Sequence, residues 1–166
     1  MQELKDTQSE TDTRNISIDR VGVKGLRFPI QIQDKLNRIQ STVATVSLAV
    51  DLPEEFKGTH MSRFVEALHQ HGPLLDVHTA LAIPRELLRR LSARRSHVEM
   101  EFPFFRAKNA PVTGIEGLMD YVVRFEMEAE ADNKLADFKL TVVVPVTTLC
   151  PCSKACLLYT SDAADE

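Results

Sequence analysis

The sequence predicts an α+β fold: an antiparallel sheet with a pair of helices on one face. The expected order is strand, strand, helix, helix, strand, strand, then one further strand. Three observations predict it. Residues 21–32, 43–52, 98–104 and 121–129 alternate apolar and polar side chains, as half-buried strands do. Two segments between the second and third of these carry apolar residues at helical spacing. The 166 residues are 43% hydrophobic and 27% charged, an ordinary composition with room for one core or two small ones.

Residues 1–15 hold almost no large apolar side chain and read as a flexible arm. The first strand follows, with Leu26, Phe28, Ile30 and Ile32 alternating in its second half; Gly22 and Gly25 permit a bulge. The second strand carries Val46, Leu48, Val50 and Leu52 on one face, and the polar linker 33–41 closes an antiparallel pair. In the first helix, Met61, Phe64, Val65 and Leu68 form one stripe, Thr59 is the expected N-cap, and Gly72-Pro73 ends the element.

A second helix is expected to start near Pro84, because proline suits the first turn. Leu87, Leu88 and Leu91 are its apolar face, and Arg85, Arg89, Arg90, Arg94 and Arg95 load the rest. Val98, Met100, Phe102 and Phe104 mark the third strand, residues 108–117 a loop, and Tyr121 to Ala129 the fourth strand. Asp132-Asn133-Lys134 makes a turn into a last strand, 138–146. That strand is apolar on both faces near Val142-Val143-Val144, so a central place in the sheet is expected. The sheet face away from the helices needs a cover, for which a partner sheet is the natural choice.

Net charge is −4, with no basic excess to suggest a nucleic-acid partner. No apolar run reaches the length of a membrane span, and residues 1–14 are too polar for a signal peptide. Three cysteines fall within seven residues near the end, a spacing unlike a disulfide framework and suited to a reducing compartment, so a cytoplasmic protein is expected.

The chemistry concentrates in Thr147-Thr148-Leu149-Cys150-Pro151-Cys152-Ser153-Lys154. In extended backbone, residues two apart share a face, so Cys150 and Cys152 look into one place, with Pro151 fixing the backbone between them. Two thiols there suit a metal or a reactive sulfur. Spacing alone favours a buried inert pair, since zinc sites prefer a gap of about two to four residues.

Three strings carry a more specific signal: Asp19-Arg20-Val21-Gly22-Val23-Lys24, Lys57-Gly58-Thr59-His60-Met61-Ser62-Arg63-Phe64, and Leu149-Cys150-Pro151-Cys152-Ser153-Lys154. In kind, order and spacing they resemble type IB GTP cyclohydrolase I, the structurally distinct second form of the enzyme that opens folate biosynthesis. The resemblance implies the tunnelling fold (T-fold), with two ββααββ modules per chain and a homotetrameric assembly. Residues 16–131 would be the first module, and 132–155 the start of the second.

It also implies an activity: metal-dependent hydrolysis of GTP to 7,8-dihydroneopterin triphosphate and formate. The metal would be divalent zinc, manganese or iron, activating water by lowering its pKa. Cys150 would be the catalytic, metal-binding cysteine, with Cys152 and Lys154 near the site and Lys154 within reach of a phosphate. In the family the cysteine string runs on into a stretch ending Gly-Ala-His-Asn-Gln-Arg. Here Ala155 is followed by Cys156-Leu157-Leu158-Tyr159 and the rest of 156–166, which resembles a translated sequencing adaptor. Those residues are expected to be a non-native tail, so the further His and Glu ligands are missing and this piece alone is expected to be inactive.

His60 and Arg63 are the candidate substrate contacts, against capping or module packing as the stronger reading of His60. The arginine-rich helix reads more readily as a solvated face than as a triphosphate site. His69 and His71 lie two apart on a helix and do not share a face, so they make no metal pair. Glu126, Glu128 and Glu130 read as the polar side of a strand. The alternative to the enzyme is a non-catalytic pterin- or purine-binding module, or an assembly module, of the same fold.

Overall fold

In the computed structural model the described residues are 16–33, 38–71, 73–109, 114–132 and 137–146. The arm 1–15, the string 147–154 and the tail 156–166 lie outside them. The elements run β1 (Ile18–Gln33), β2 (Ile39–Leu52), α1 (Met61–Gln70), β3 (Leu74–Leu75), α2 (Val77–Leu91), β4 (Arg95–Asn109), β5 (Glu116–Glu130) and β6 (Asp137–Val143). They form one sheet in the order β3-β1-β2-β4-β5-β6, antiparallel throughout except for the short parallel pair of β3 with β1. The fold is thus α+β, with both helices packed on one face.

The alternation read from the sequence sets that face. Ala44, Val46, Leu48, Val50 and Leu52 of β2 are buried, as are Val98, Met100 and Phe102 of β4 and Tyr121, Val123, Met127 and Ala129 of β5. All of these except Leu52, Tyr121 and Ala129 form one core with Phe64, Ala67 and Leu68 from α1 and Ala80, Ile83 and Leu87 from α2. Each such aliphatic side chain removed from water contributes about 1.5–3 kcal/mol. Phe28 of β1 meets the His69 ring edge-on at 5.2 Å, and Phe125 stands edge-on between Phe102 and Phe138.

The glycine pair in β1 behaves as expected of a bulge. The β1–β2 register shifts between Val23 and Leu26, where Gly25 takes φ 73°. At Gly22 the strands approach so closely that a Cβ would sit 1.9 Å from the Leu48 carbonyl oxygen. Towards the other end of these strands β2 and β4 stop exchanging ladder bonds after Thr45 and Glu101. Beyond that point the Gln40 amide stands in for a peptide group, accepting from Phe105 N at 2.8 Å and donating to Phe105 O at 2.9 Å.

Several expectations need correction. The linker after β1 is shorter than 33–41, because β2 already begins at Ile39, and the loop 108–117 narrows because β4 and β5 pair out to Asn109 and Glu116. β3 was not foreseen; two residues leave no periodicity to read. His60, not Thr59, occupies the N-cap position of α1, in extended backbone and without a capping side-chain bond. α1 ends at Gln70 with His71 as its C-cap, immediately before Gly72-Pro73 as expected, but Met61 is exposed, so the buried stripe begins at Phe64.

The helix placed near Pro84 begins at Val77. Its start is a capping box: Asp76 Oδ1 accepts from Thr79 N at 2.7 Å, and Thr79 Oγ1 from Asp76 N at 2.8 Å. Pro84 lies inside the helix, where its ring has no N–H for the preceding turn. The Pro84 carbonyl takes a 2.8 Å bond from the buried Ser96 hydroxyl, tying the helix to β4. Finally, β6 is an edge strand, not a central one. Leu140, Val142 and Val143, on its two faces, are about half exposed, and among the described residues β5 is its one neighbouring strand.

Candidate functional site

The candidate residues divide into those beyond β6 and those at the start of α1. Cys150, Cys152 and Lys154 lie outside the described residues, as does Cys156. β6 and the half-exposed Val144 and exposed Val146 that follow it bring the chain to within a residue of the Thr147–Lys154 string.

His60 and Arg63 sit together in the first turn of α1, where Arg63 N donates to the His60 carbonyl at 3.2 Å. The Arg63 guanidinium donates to the Arg90 carbonyl at 2.9 Å, in the last turn of α2. A cation over unsatisfied carbonyls at a helix C-terminus is favourable, so this arginine ties the two helices together. Arg90 extends the tie, reaching Glu66 at 2.8 Å and Glu86 at 2.5 Å, with Gln70 as a third partner. Bonds from Arg89 and then Arg90 hold the Glu86 carboxyl well down, at about 2. Arg89 remains largely exposed, as a solvated face implies, whereas Arg90 is mostly buried and engaged between the two helices.

Sequence reasoning missed a charged lattice on the helix-free face of the sheet. Its rows follow the register: Thr45, Glu101, Arg124 and Thr141; Ser47, Glu99, Glu126 and Lys139; Ala49, His97, Glu128 and Asp137. Glu99 and Glu126 stand directly opposite, a repulsive pairing unless each finds a cation. Lys139 meets Glu126 at 2.6 Å, and its bond holds that carboxyl below the usual carboxylate range. His97 Nε2 meets Glu99 at 2.9 Å and Nδ1 meets Glu128 at 2.8 Å, with Arg20 at 3.5 Å from the same Glu128 oxygen. A ring nitrogen donates to each carboxylate only when both carry protons. Arg124 donates twice to Glu101, at 3.0 and 2.5 Å. The individual charges were visible in the sequence, but their pairing depends on register between strands far apart in the chain.

Much of this charge is paired within the lattice, through Arg124 with Glu101, Lys139 with Glu126 and Arg20 with Glu128. Its Glu126 is held ionised at neutral pH and is a poor general acid. Among the described residues, no group of three or more His, Cys, Asp or Glu side chains is arranged to hold a metal ion. A cleft of about 470 Å³ at one end of the sheet contains Arg94 and Arg95, but six carboxylates line it as well: Asp19, Asp51, Glu54, Glu55, Glu130 and Asp132. Asp51 accepts from the backbone N–H groups of Arg94 and Arg95 at 2.9 and 2.7 Å, occupying the donors an anion would use. That surround repels a triphosphate. No described helix is long and apolar enough to cross a membrane.

The family model for type I GTP cyclohydrolase folE2 matches residues 4–163. The chain belongs to this family. Within the FolE2 family, a GTP cyclohydrolase FolE2 of Akkermansia muciniphila is 96% identical over 159 residues, covering 96% of this chain and 60% of the relative. A GTP cyclohydrolase FolE2 of Fervidobacterium nodosum is 48% identical over 151 residues, covering 91% of this chain and 57% of the relative. One from an Azoarcus species is 45% identical over 156 residues, covering 94% and 58%. The chain thus spans about three fifths of the length of these FolE2 relatives.

Proposed function

We propose that the whole protein is a GTP cyclohydrolase, converting GTP and water to 7,8-dihydroneopterin triphosphate and formate as the first step of folate biosynthesis. The observation that carries this reading is the 96% identity to a relative named GTP cyclohydrolase FolE2. Water attacks C8 of the guanine imidazole ring, formate leaves with that carbon, and the opened ribose recloses to the pterin. Cys150 would be one ligand of a divalent zinc, manganese or iron ion, which would supply the lowered pKa of the attacking water. Cys152 would lie near that site and Lys154 would offer a cation to the phosphates; His60 and Arg63 are secondary substrate candidates, with Arg63 already committed to the helix tie.

The fold is a T-fold in which the described ββααββ unit is the first module and residues 132–155 begin a second. The working assembly is a homotetramer in the cytoplasm, with GTP as its small-molecule partner and neither nucleic acid nor membrane. A catalytic metal needs about three protein ligands, and the described residues hold no such group. The His and Glu ligands that the family resemblance implies beside Cys150 are not matched within residues 1–166, and we expect those residues alone to show no turnover.

The test uses the full-length Akkermansia relative, assayed for dihydroneopterin triphosphate with each of the three metals. Replacing the cysteine at position 150 by alanine should abolish turnover and lower bound metal below stoichiometric. Undiminished turnover in that variant would remove the reading.

A further inference from the structure

Strand β1 carries the string Asp19 to Lys24, and no step proposed above uses it. On an unbroken strand Lys24 and Arg27, three residues apart, would lie on opposite faces. The extra residue at Gly25 removes that alternation. Val23 pairs with Leu48 and Leu26 with Val46, so Lys24 and Gly25 together face Ser47. Val23 and Leu26 pack against the core on the helix side. Lys24 and Arg27 are therefore both turned to the helix-free face, exposed and one row apart. A row is two residues of strand, about 7 Å.

The other cations of that face are engaged, Arg20 by Glu128, Arg124 by Glu101 and Lys139 by Glu126. Lys24 and Arg27 meet no carboxylate among the described residues. Their neighbours on β2 are neutral and carry hydroxyls: Ser47 and, opposite Arg27, Thr45. The Ser47 oxygen accepts from Gly25 N at 3.4 Å, which leaves its O–H to donate outward. Beside Lys24 lies a hollow of about 260 Å³, with Arg20 in its wall and Gly22 and Ala49 adding almost no side chain to its lining. Its one carboxylate, Glu99, is already bonded to His97 at 2.9 Å. The cleft at the end of the sheet is the reverse case, with six carboxylates around two arginines.

We propose that Lys24 and Arg27 seat a triphosphate chain on the helix-free face of β1, with Ser47 and Thr45 donating to it from β2. Two unpaired cations a row apart, with hydroxyls beside them, suit an extended chain of phosphates better than one compact anion. The identity of the ligand rests on the GTP cyclohydrolase reading, in which the chain is that of GTP and then of the product. The site itself rests on the bulge and the charges.

The test titrates this 166-residue chain with inorganic triphosphate, GTP, guanosine and sulfate, read by backbone amide shifts. Inorganic triphosphate and GTP should move residues 24–27 and Ser47, guanosine should not, and sulfate should bind more weakly. Lys24→Gln and Arg27→Gln should each weaken triphosphate binding about tenfold, whereas Arg124→Gln, which removes a paired cation from the same face, should leave it within about twofold. In the full-length Akkermansia relative the same Lys24 and Arg27 substitutions should raise KM for GTP about tenfold with kcat little changed. Amides that stay still under triphosphate, sulfate bound equally well, or an unchanged KM overturn the proposal. So does a loss in Arg124→Gln equal to that in Lys24→Gln, which would mean that only overall charge is sensed. A full-length protein that turns over no GTP, beside a chain that binds inorganic triphosphate through Lys24 and Arg27, removes the GTP reading and leaves the site standing.

Discussion

Strands β2 and β6 are similarly apolar and have opposite fates. β2 lies between β1 and β4 under the helix pair, and every second residue from Ala44 to Leu52 is at most 8% exposed. β6 has Phe138, Leu140 and Val142 on one face and Val143 on the other, yet only Phe138 is well covered, through its ring contact with Phe125. The difference lies in neighbours, not composition. A strand is buried by what stands beside and above it, and among the described residues the core shared with the helices draws on β1, β2, β4 and part of β5.

The contrast can be broken or sharpened by mutation. Leu48→Ala removes a fully buried side chain from β2 and should cost about 3 kcal/mol, read as a fall in the denaturant midpoint at unchanged slope. A loss below about 1 kcal/mol would mean the helix-covered half is loosely packed. Gly22→Ala should cost about 2 kcal/mol, because its Cβ meets the Leu48 carbonyl and the paired strands must part. The same substitution at Gly117 meets only the Lys108 carbonyl at 3.8 Å and should be tolerated, which makes it the control.

The helix layer contributes an acid-sensitive share. The Glu86 carboxyl is held at about 2 by Arg89 and Arg90. A depressed carboxylate stabilises fully above its unfolded pKa, near 4.3, and that share is lost as pH falls towards 2. The stability gap between wild type and Glu86→Gln should therefore be widest above pH 5 and close between about pH 4.5 and 2, measured by denaturant titration across that range. The smallest effect belongs to β6: Val142→Ala in this chain should change stability by no more than about 0.5 kcal/mol, since the side chain is half exposed.

Much of the fold was legible because alternation and helical spacing are local. Val46, Leu48 and Val50 announce the buried face of β2, and Phe64 and Leu68 announce that of α1. Pro84 misled because proline also suits a first turn, while the true start, Asp76-x-x-Thr79, is a capping box whose partner is Thr rather than Glu. β6 misled because apolar residues on both faces ask for cover without saying whether it is present. The cysteine string was legible as a family mark, but the described residues do not reach it. The His97 contacts with Glu99 and Glu128 were illegible, since they exist only once β4 and β5 adopt one particular register.

The Gln40 amide at the end of the β2–β4 seam has a consequence of its own. A side chain on a rotatable stem replaces a rigid peptide link there, so both polar groups of Phe105 facing β2 depend on one amide. Deamidation at this position would turn donor into acceptor and set a negative charge against the Phe105 carbonyl. One slow chemical ageing event would then leave the Thr42 hydroxyl, 3.1 Å from the Pro103 carbonyl, as the outermost fastening of the seam.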